Sequence, residues 1–162
     1  MRYVGIDPSL STGLVIIQDG RVQTEEEIKT KTAIDPERFM IVANHIIQHL
    51  QEGDIICIEG FSYGSKGRGV STQYGMGWII RAELKRNGYN YYEIAPGALK
   101  KFATGKGNTK KDEMVLPIYK RWGYEGKTDN IRDAFVLAKI AEGMQNVEEL
   151  PKFQQEVIEK LG

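Results

Sequence analysis

The stretch YVGIDPSLSTGLVII, from Tyr3 to Ile17, joins two apolar runs through an aspartate, a proline and a string of small hydroxyl residues. The first run, residues 2–7, reads as a strand that ends on Asp7. The second, residues 12–18, reads as another strand, and the Asp-Gly of QDGR after it signals a hairpin. A buried strand ending on a carboxylate places that group at a sheet edge, where α/β folds open their clefts. The rest of the chain has to show whether Asp7 has partners there.

Outward from this stretch, residues 21–30 complete a three-strand meander. DPERFMIVANHIIQHLQEG (Asp35 to Gly53) reads as a helix with Asp35 as N-cap, Pro36 at its first position, and a stripe of Phe39, Val42, Ile46 and Leu50. DIICIE (Asp54 to Glu59) is a continuous apolar run, expected to be buried on both faces. GFSYGSKGRGVS (residues 60–71) reads as a mobile, glycine-rich loop. A helix over 71–87, a strand over 89–95 and a short helix from Pro96 follow. Thr109 to Trp122 is expected to be helical with a kink at Pro117, and Thr128 to Gly143 is a further helix. The order predicts an α/β fold, a five-stranded mixed sheet with helices on both faces and the first, fourth and fifth strands central. Residues 1–145 form one domain. Residues 146–162 form an amphipathic tail whose stripe of Phe153, Val157, Ile158 and Leu161 docks on that domain or on a partner.

The 162 residues, 41% hydrophobic and 27% charged, fit one globular domain. No apolar run is long enough to span a membrane. No signal peptide is apparent and Cys57 stands alone, which together lead us to expect a cytoplasmic protein. Net charge is zero, but its distribution is uneven. Residues 1–62 carry −5, residues 63–111 carry +8 and residues 112–162 carry −3. A basic middle third suggests an anionic partner, with nucleic acid the first candidate.

In this layout Asp7 ends the first strand, Glu59 ends the fourth, and Asp133 lies in the last long helix. If the first and fourth strands are parallel neighbours, the three acids meet at one edge. Three carboxylates in one place repel one another and resist ionisation. A hard divalent cation, Mg²⁺ with Mn²⁺ as substitute, relieves that repulsion. Two such ions stabilise the attacking and leaving oxygens of a phosphoryl displacement. Lys100, Lys101, Lys106, Lys110 and Lys111 cluster within 12 residues and suit phosphate contacts, and Lys66 and Arg68 extend them. Phe61 and Tyr63 suit stacking on an unpaired base or anchoring of the loop. Tyr74, Trp78 and Ile79 read as core or subunit interface. His45 and His49 stand four apart on one helix, but no further Cys or His completes a metal set. They read as structural.

Four segments resemble the RuvC-like Holliday junction resolvases of the ribonuclease H-like superfamily. They are GIDPSLSTG (Gly5 to Gly13), ICIEGF (Ile56 to Phe61), APGALKKFATGKGNTKKDEM (Ala95 to Met114) and RDAFVLA (Arg132 to Ala138). Short length, neutral charge and a divergent loop look more like the bacteriophage branch. The resemblance implies a homodimeric, metal-dependent endonuclease of branched DNA, four-way junctions above all, leaving 5′-phosphate ends. It implies Asp7, Glu59 and Asp133 as metal ligands, and Lys100 and Lys111 as basic groups near the scissile phosphate. The family's fourth ligand position is occupied by Asn130, which ligates through its carbonyl oxygen or cedes the role to Asp129. A non-catalytic binder of branched DNA stands as an alternative, as does a nuclease acting on forks or RNA-containing substrates. DPSLSTG also resembles the first phosphate loop of actin-like kinases. A chain of 162 residues leaves no room for their second domain, so no nucleotide cofactor is expected.

Overall fold

A computed structural model describes residues 1–31 and 33–161. The last residue of the predicted tail, Gly162, lies outside them. Three antiparallel strands, β1 (Arg2–Asp7), β2 (Thr12–Gln18) and β3 (Arg21–Ile28), form the meander. Helix α1 (Glu37–His49) leads into β4 (Ile55–Glu59), which pairs parallel with β1. Helix α2 (Val70–Arg86) leads into β5 (Tyr92–Ile94), parallel to β4. The strand order is β3-β2-β1-β4-β5. The fifth strand is therefore an edge strand, not a central one, and β2 takes the central place expected for it. Only Tyr92 to Ile94 pair, so most of the predicted strand 89–95 stays outside the ladder.

Helices α3 (Pro96–Thr104), α4 (Val115–Trp122), α5 (Asp129–Gly143) and α6 (Lys152–Glu159) follow. A 3-10 turn over Asp112–Met114 precedes α4. Pro117 is the third residue of α4, where its missing N–H has no intrahelical acceptor to lose, so the expected kink does not arise. At the start of α1, Pro36 rather than Asp35 is the cap residue. The Asp35 carboxylate is held instead by Arg38, whose Nε and Nη2 donate to it at 2.7 and 2.9 Å.

The side-chain alternation of the strands divides the core in two. Val4, Ile6, Leu14, Ile16, Ile56 and Ile58 face α1 and α2, where they meet Phe39, Val42, Ile46 and Leu84. Val15, Ile17 and Cys57 face the other way, onto α5, α3 and α4. Ile56, Cys57 and Ile58 are all at most 1% exposed, as a strand covered on both faces requires. Burial also raises the Cys57 thiol pKa, leaving it an inert core group.

Two glycines determine how closely α5 lies on the sheet. A Cβ on Gly5 would stand 1.8 Å from the Ala134 carbonyl oxygen and 2.6 Å from the Ala138 nitrogen. A Cβ on Gly13 would stand 2.2 Å from the Asn130 carbonyl oxygen. The absence of side chains at these neighbouring positions lets the α5 backbone rest directly on β1 and β2. Helix α6 closes the far end of this layer. Val157 is buried in the core under α3, and Gln154 donates to the Phe102 carbonyl oxygen at 2.9 Å.

Candidate active site

Strand parity puts the acids together. Tyr3, Gly5 and Asp7 alternate onto the α5 face of β1, and Ile55, Cys57 and Glu59 onto the same face of β4. In the parallel register Gly5 lies opposite Cys57 and Ile6 opposite Ile58, so the next step brings Asp7 beside Glu59. Helix α5 crosses above them. Its N-terminus is fixed by Thr128, whose hydroxyl accepts from the Ile131 N–H at 3.2 Å. One turn on, Asp133 reaches down to the strand ends. One carboxylate oxygen from each of Asp7, Glu59 and Asp133 lies within 4.8 Å of the others.

The hydroxyl residues after Asp7 fold its loop back on itself. Thr12 Oγ1 donates to the Ser9 carbonyl oxygen at 2.6 Å and accepts from the Ser9 N–H at 3.3 Å. The chain thus turns away at once and leaves Asp7 at the floor of a cleft of about 300 Å³. Glu59, Asp133, Asn130, Lys100, Lys111 and Phe61 line the same cleft.

Electrostatics mark this cluster as strained without a counter-ion. Asp7 is 6% exposed, and its pKa is pushed well above the ordinary 3.8 by burial, then by the charge of Glu59, its contact with that carboxyl group, and Asp133. Burial first, then Glu59, raises Asp133 to about 7, while Lys111 opposes the rise. The donor set is three converging oxygens, with two of the acids resisting ionisation. A hard divalent cation fits it and removes the repulsion. Each raised acid holds a proton that the unfolded chain releases, so the metal-free protein loses stability as pH rises from about 4 through about 7. A divalent cation held there would compete with those protons. Its effect on the melting temperature is expected to reach several degrees near pH 8 and to vanish near pH 5. Thermal melts with and without Mg²⁺ at the two pH values measure this; equal gains at both would contradict it.

The basic residues divide. Lys111 donates to Asp129 at 2.9 Å; this contact raises the Lys111 pKa and lowers that of Asp129. Lys111 is thereby held over the cleft, at the end of a turn pinned by the Thr104 and Thr109 hydroxyls, 2.7 Å apart. Lys100 reaches the cleft from α3, half-buried. Lys101, on the other side of α3, is paired with Glu156 of α6 at 2.6 Å and lies away from the acids. Lys66, Arg68, Lys106 and Lys110 are exposed outside the cleft lining. The Asn130 side-chain NH₂ donates to Glu27 at 3.3 Å.

Phe61 lines the cleft, whereas Tyr63 beside it is 81% exposed. Phe61 packs against Tyr74 and Trp78 with ring centroids 5.1 and 5.0 Å away. Trp78 is 58% exposed, which overturns a core role for it. Beneath these rings lies a residue the sequence reading passed over. Arg81 is 2% exposed, 4.2 Å from the Phe61 ring centroid. It donates to the Glu59 carbonyl oxygen at 3.0 Å, to the Gly77 carbonyl oxygen at 3.0 Å and to Glu93 at 2.6 Å. One guanidinium thus fastens the end of β4, which carries Glu59, to α2 and β5. Only a faint signal marks it in the sequence: Arg81 stands one turn after Gly77, beside the buried series Met76, Ile80 and Leu84 on α2. Removing it takes the guanidinium's hydrogen bond from the Glu59 carbonyl and the counter-charge from Glu93. Arg81→Met is expected to cost about 3 kcal/mol of stability, measurable by denaturant unfolding, with a loss below about 1 kcal/mol contradicting that role.

The chain as a whole is similar to known proteins. The chain is 27% identical over 148 residues to the crossover junction endodeoxyribonuclease RuvC of Synechococcus sp. (strain WH7803), covering 85% of this chain and 96% of that protein. The Thermus thermophilus RuvC structure superposes with a TM-score of 0.72 at 19% identity, covering 90% of this chain and 96% of that one.

The fold is the ribonuclease H-like fold of RuvC.

A structure of T. thermophilus RuvC in complex with Holliday junction substrate superposes with a TM-score of 0.69 at 21% identity, covering 85% of this chain and 90% of that RuvC chain. No protein-family model matches the chain. Among the described residues, no helix is long and apolar enough to cross a membrane.

Proposed function

We propose that this chain is a RuvC-like endonuclease that resolves Holliday junctions and related branched DNA by divalent-metal-dependent phosphodiester hydrolysis. One observation carries the reading: Asp7, Glu59 and Asp133 converge within 4.8 Å in a cleft that Lys100 and Lys111 also line. The similarity to a crossover junction endodeoxyribonuclease over 85% of the chain supports it.

The three carboxylates would hold Mg²⁺ or Mn²⁺, two ions per active site, and the bound metal would supply Lewis-acid stabilisation to the attacking and leaving oxygens of the phosphodiester. The 5′-phosphate products are what the resemblance to RuvC implies. Lys111 and Lys100 neutralise charge on the phosphate, Lys111 held in place by Asp129. The same ion pair occupies Asp129, whereas Asn130 has its NH₂ on Glu27 and its carbonyl oxygen left over. Asn130 rather than Asp129 therefore takes the fourth ligand position. Lys66, Arg68, Lys106 and Lys110 carry flanking phosphates, and Lys101 contributes less, since Glu156 holds it. Phe61 and Tyr63 present rings beside the acids to an unpaired base.

Symmetric cutting of a four-way junction requires two such clefts, so the active form is a homodimer. Residues 1–145 form the nuclease domain and 146–162 its C-terminal tail, which buttresses α3 through Gln154 and Val157, and the protein acts in the cytoplasm. Neutral charge and the divergent loop at 60–69 favour a bacteriophage-type branch. A cleavage assay with four-way, three-way, fork, duplex and RNA/DNA hybrid substrates in Mg²⁺, Mn²⁺ or EDTA tests the assignment. Metal-dependent cutting strongest on the four-way junction is expected. Junction binding without cutting in either metal would make the chain a non-catalytic binder. Preference for forks or hybrids would move the substrate within the same chemistry.

A further inference from the structure

Strand β3 carries three consecutive glutamates, and the pleat separates them. Glu25 and Glu27 turn toward α5, where they accept from Tyr124 at 2.7 Å and from Asn130 at 3.3 Å. Glu26 turns to the opposite face, beneath α1. There it meets His45 and His49, the pair that lacked a partner in the linear sequence. His45 Nε2 lies 2.9 Å from Glu26 Oε1, and His49 Nε2 lies 3.6 Å from Glu26 Oε2. One ligand atom from each of the three residues falls within 4.8 Å of the others.

We propose that Glu26, His45 and His49 form a second metal site, suited to Zn²⁺ and separate from the acid cleft on the other face of the sheet. Bonds of about 2.0–2.1 Å in a tetrahedron set neighbouring ligand atoms about 3.3 Å apart, inside the 4.8 Å that bounds one ligand atom from each of the three residues. The orientation of His49 is already that of a ligand. Its Nδ1 lies 2.9 Å from the His45 carbonyl oxygen, which can only accept, so Nδ1 donates there and Nε2, on the Glu26 side, is the ring atom placed to ligate. A backbone carbonyl that accepts from the far nitrogen of the ring in this way is common at imidazole–zinc sites. The two rings lie 4.9 Å apart between centroids, on successive turns of one helix face. All three side chains are 30–37% exposed, so the fourth position is open to water. Two imidazoles and one carboxylate suit Zn²⁺ and are poor ligands for Mg²⁺, which prefers an all-oxygen shell. The site therefore sorts ions from the catalytic cleft by chemistry. A bound Zn²⁺ clamps the sheet's edge strand, β3, to α1.

Co²⁺ serves as the spectroscopic probe, in Asp7→Asn protein so that the acid cleft is disabled. Titration is expected to develop visible d–d bands that saturate near one equivalent and are displaced by Zn²⁺. The bands are expected to disappear in His45→Gln and in His49→Gln, each shown folded by circular dichroism, and to weaken or shift in Glu26→Gln. Absent bands in the Asp7→Asn protein, or bands untouched by both histidine substitutions, would overturn the proposal and leave the three groups as a hydrogen-bonded cluster only. None of these readouts uses nuclease activity, so they stand apart from the assignment of the acid cleft.

Discussion

Asp7→Asn is expected to lower junction cleavage about a thousandfold or more while leaving junction binding in EDTA near the parental value. Asp7 is the most buried of the three acids, and its carboxylate is the one both neighbours act on. An amide there removes one of the charges proposed to hold the cation and leaves the loop hydrogen bonds of Ser9 and Thr12 untouched. The same change should not harm folding. Ionised Asp7 is unfavourable in the metal-free protein, so Asp7→Asn is expected to melt at or above the parental temperature near pH 8, with little further gain from Mg²⁺. Single-turnover cleavage, gel-shift binding and thermal melts separate the effects. Cutting at the parental rate would remove Asp7 from the chemistry, and weaker binding in EDTA would make it a DNA contact instead.

Gly5→Ala carries the largest expected effect on stability, a loss of about 3 kcal/mol or more. The added methyl would meet backbone atoms of α5, the nearest 1.8 Å away, and backbone cannot rotate aside. The helix must lift, and it carries Asp133. Cleavage should therefore fall even under conditions where the variant remains folded. Gly64→Ala is the control, since nothing lies within 4 Å of that position. Equal melting temperatures for Gly5→Ala and the parent would mean that α5 does not rest on β1 as described.

The reasons the acids meet were largely local, and so visible in the linear order. Strand ends at Asp7 and Glu59 follow from apolar runs that stop on a carboxylate, and the parallel pairing of β1 and β4 follows from the intervening helix. The helix stripe at Phe39, Val42, Ile46 and Leu50 was equally plain. What escaped depended on distant partners. The placement of β5 at an edge is a matter of strand order, which periodicity does not encode. Arg81 reads as one more surface cation until Glu59, Gly77 and Glu93 are seen around it. The contact of His45 and His49 with Glu26 was hidden because Glu26 is 19 residues away from His45 in sequence, on a strand that only the fold brings beneath the helix. Gly5 and Gly13 lie inside a segment quoted for its aspartate, yet their role is to admit the backbone of α5.

The most direct test of the account is anomalous diffraction from crystals of the parent protein soaked in Mn²⁺. Peaks bounded by the carboxylates of Asp7, Glu59 and Asp133, and missing from Asp7→Asn crystals, are the predicted result. A fully soaked crystal with no anomalous density among those three side chains would contradict it.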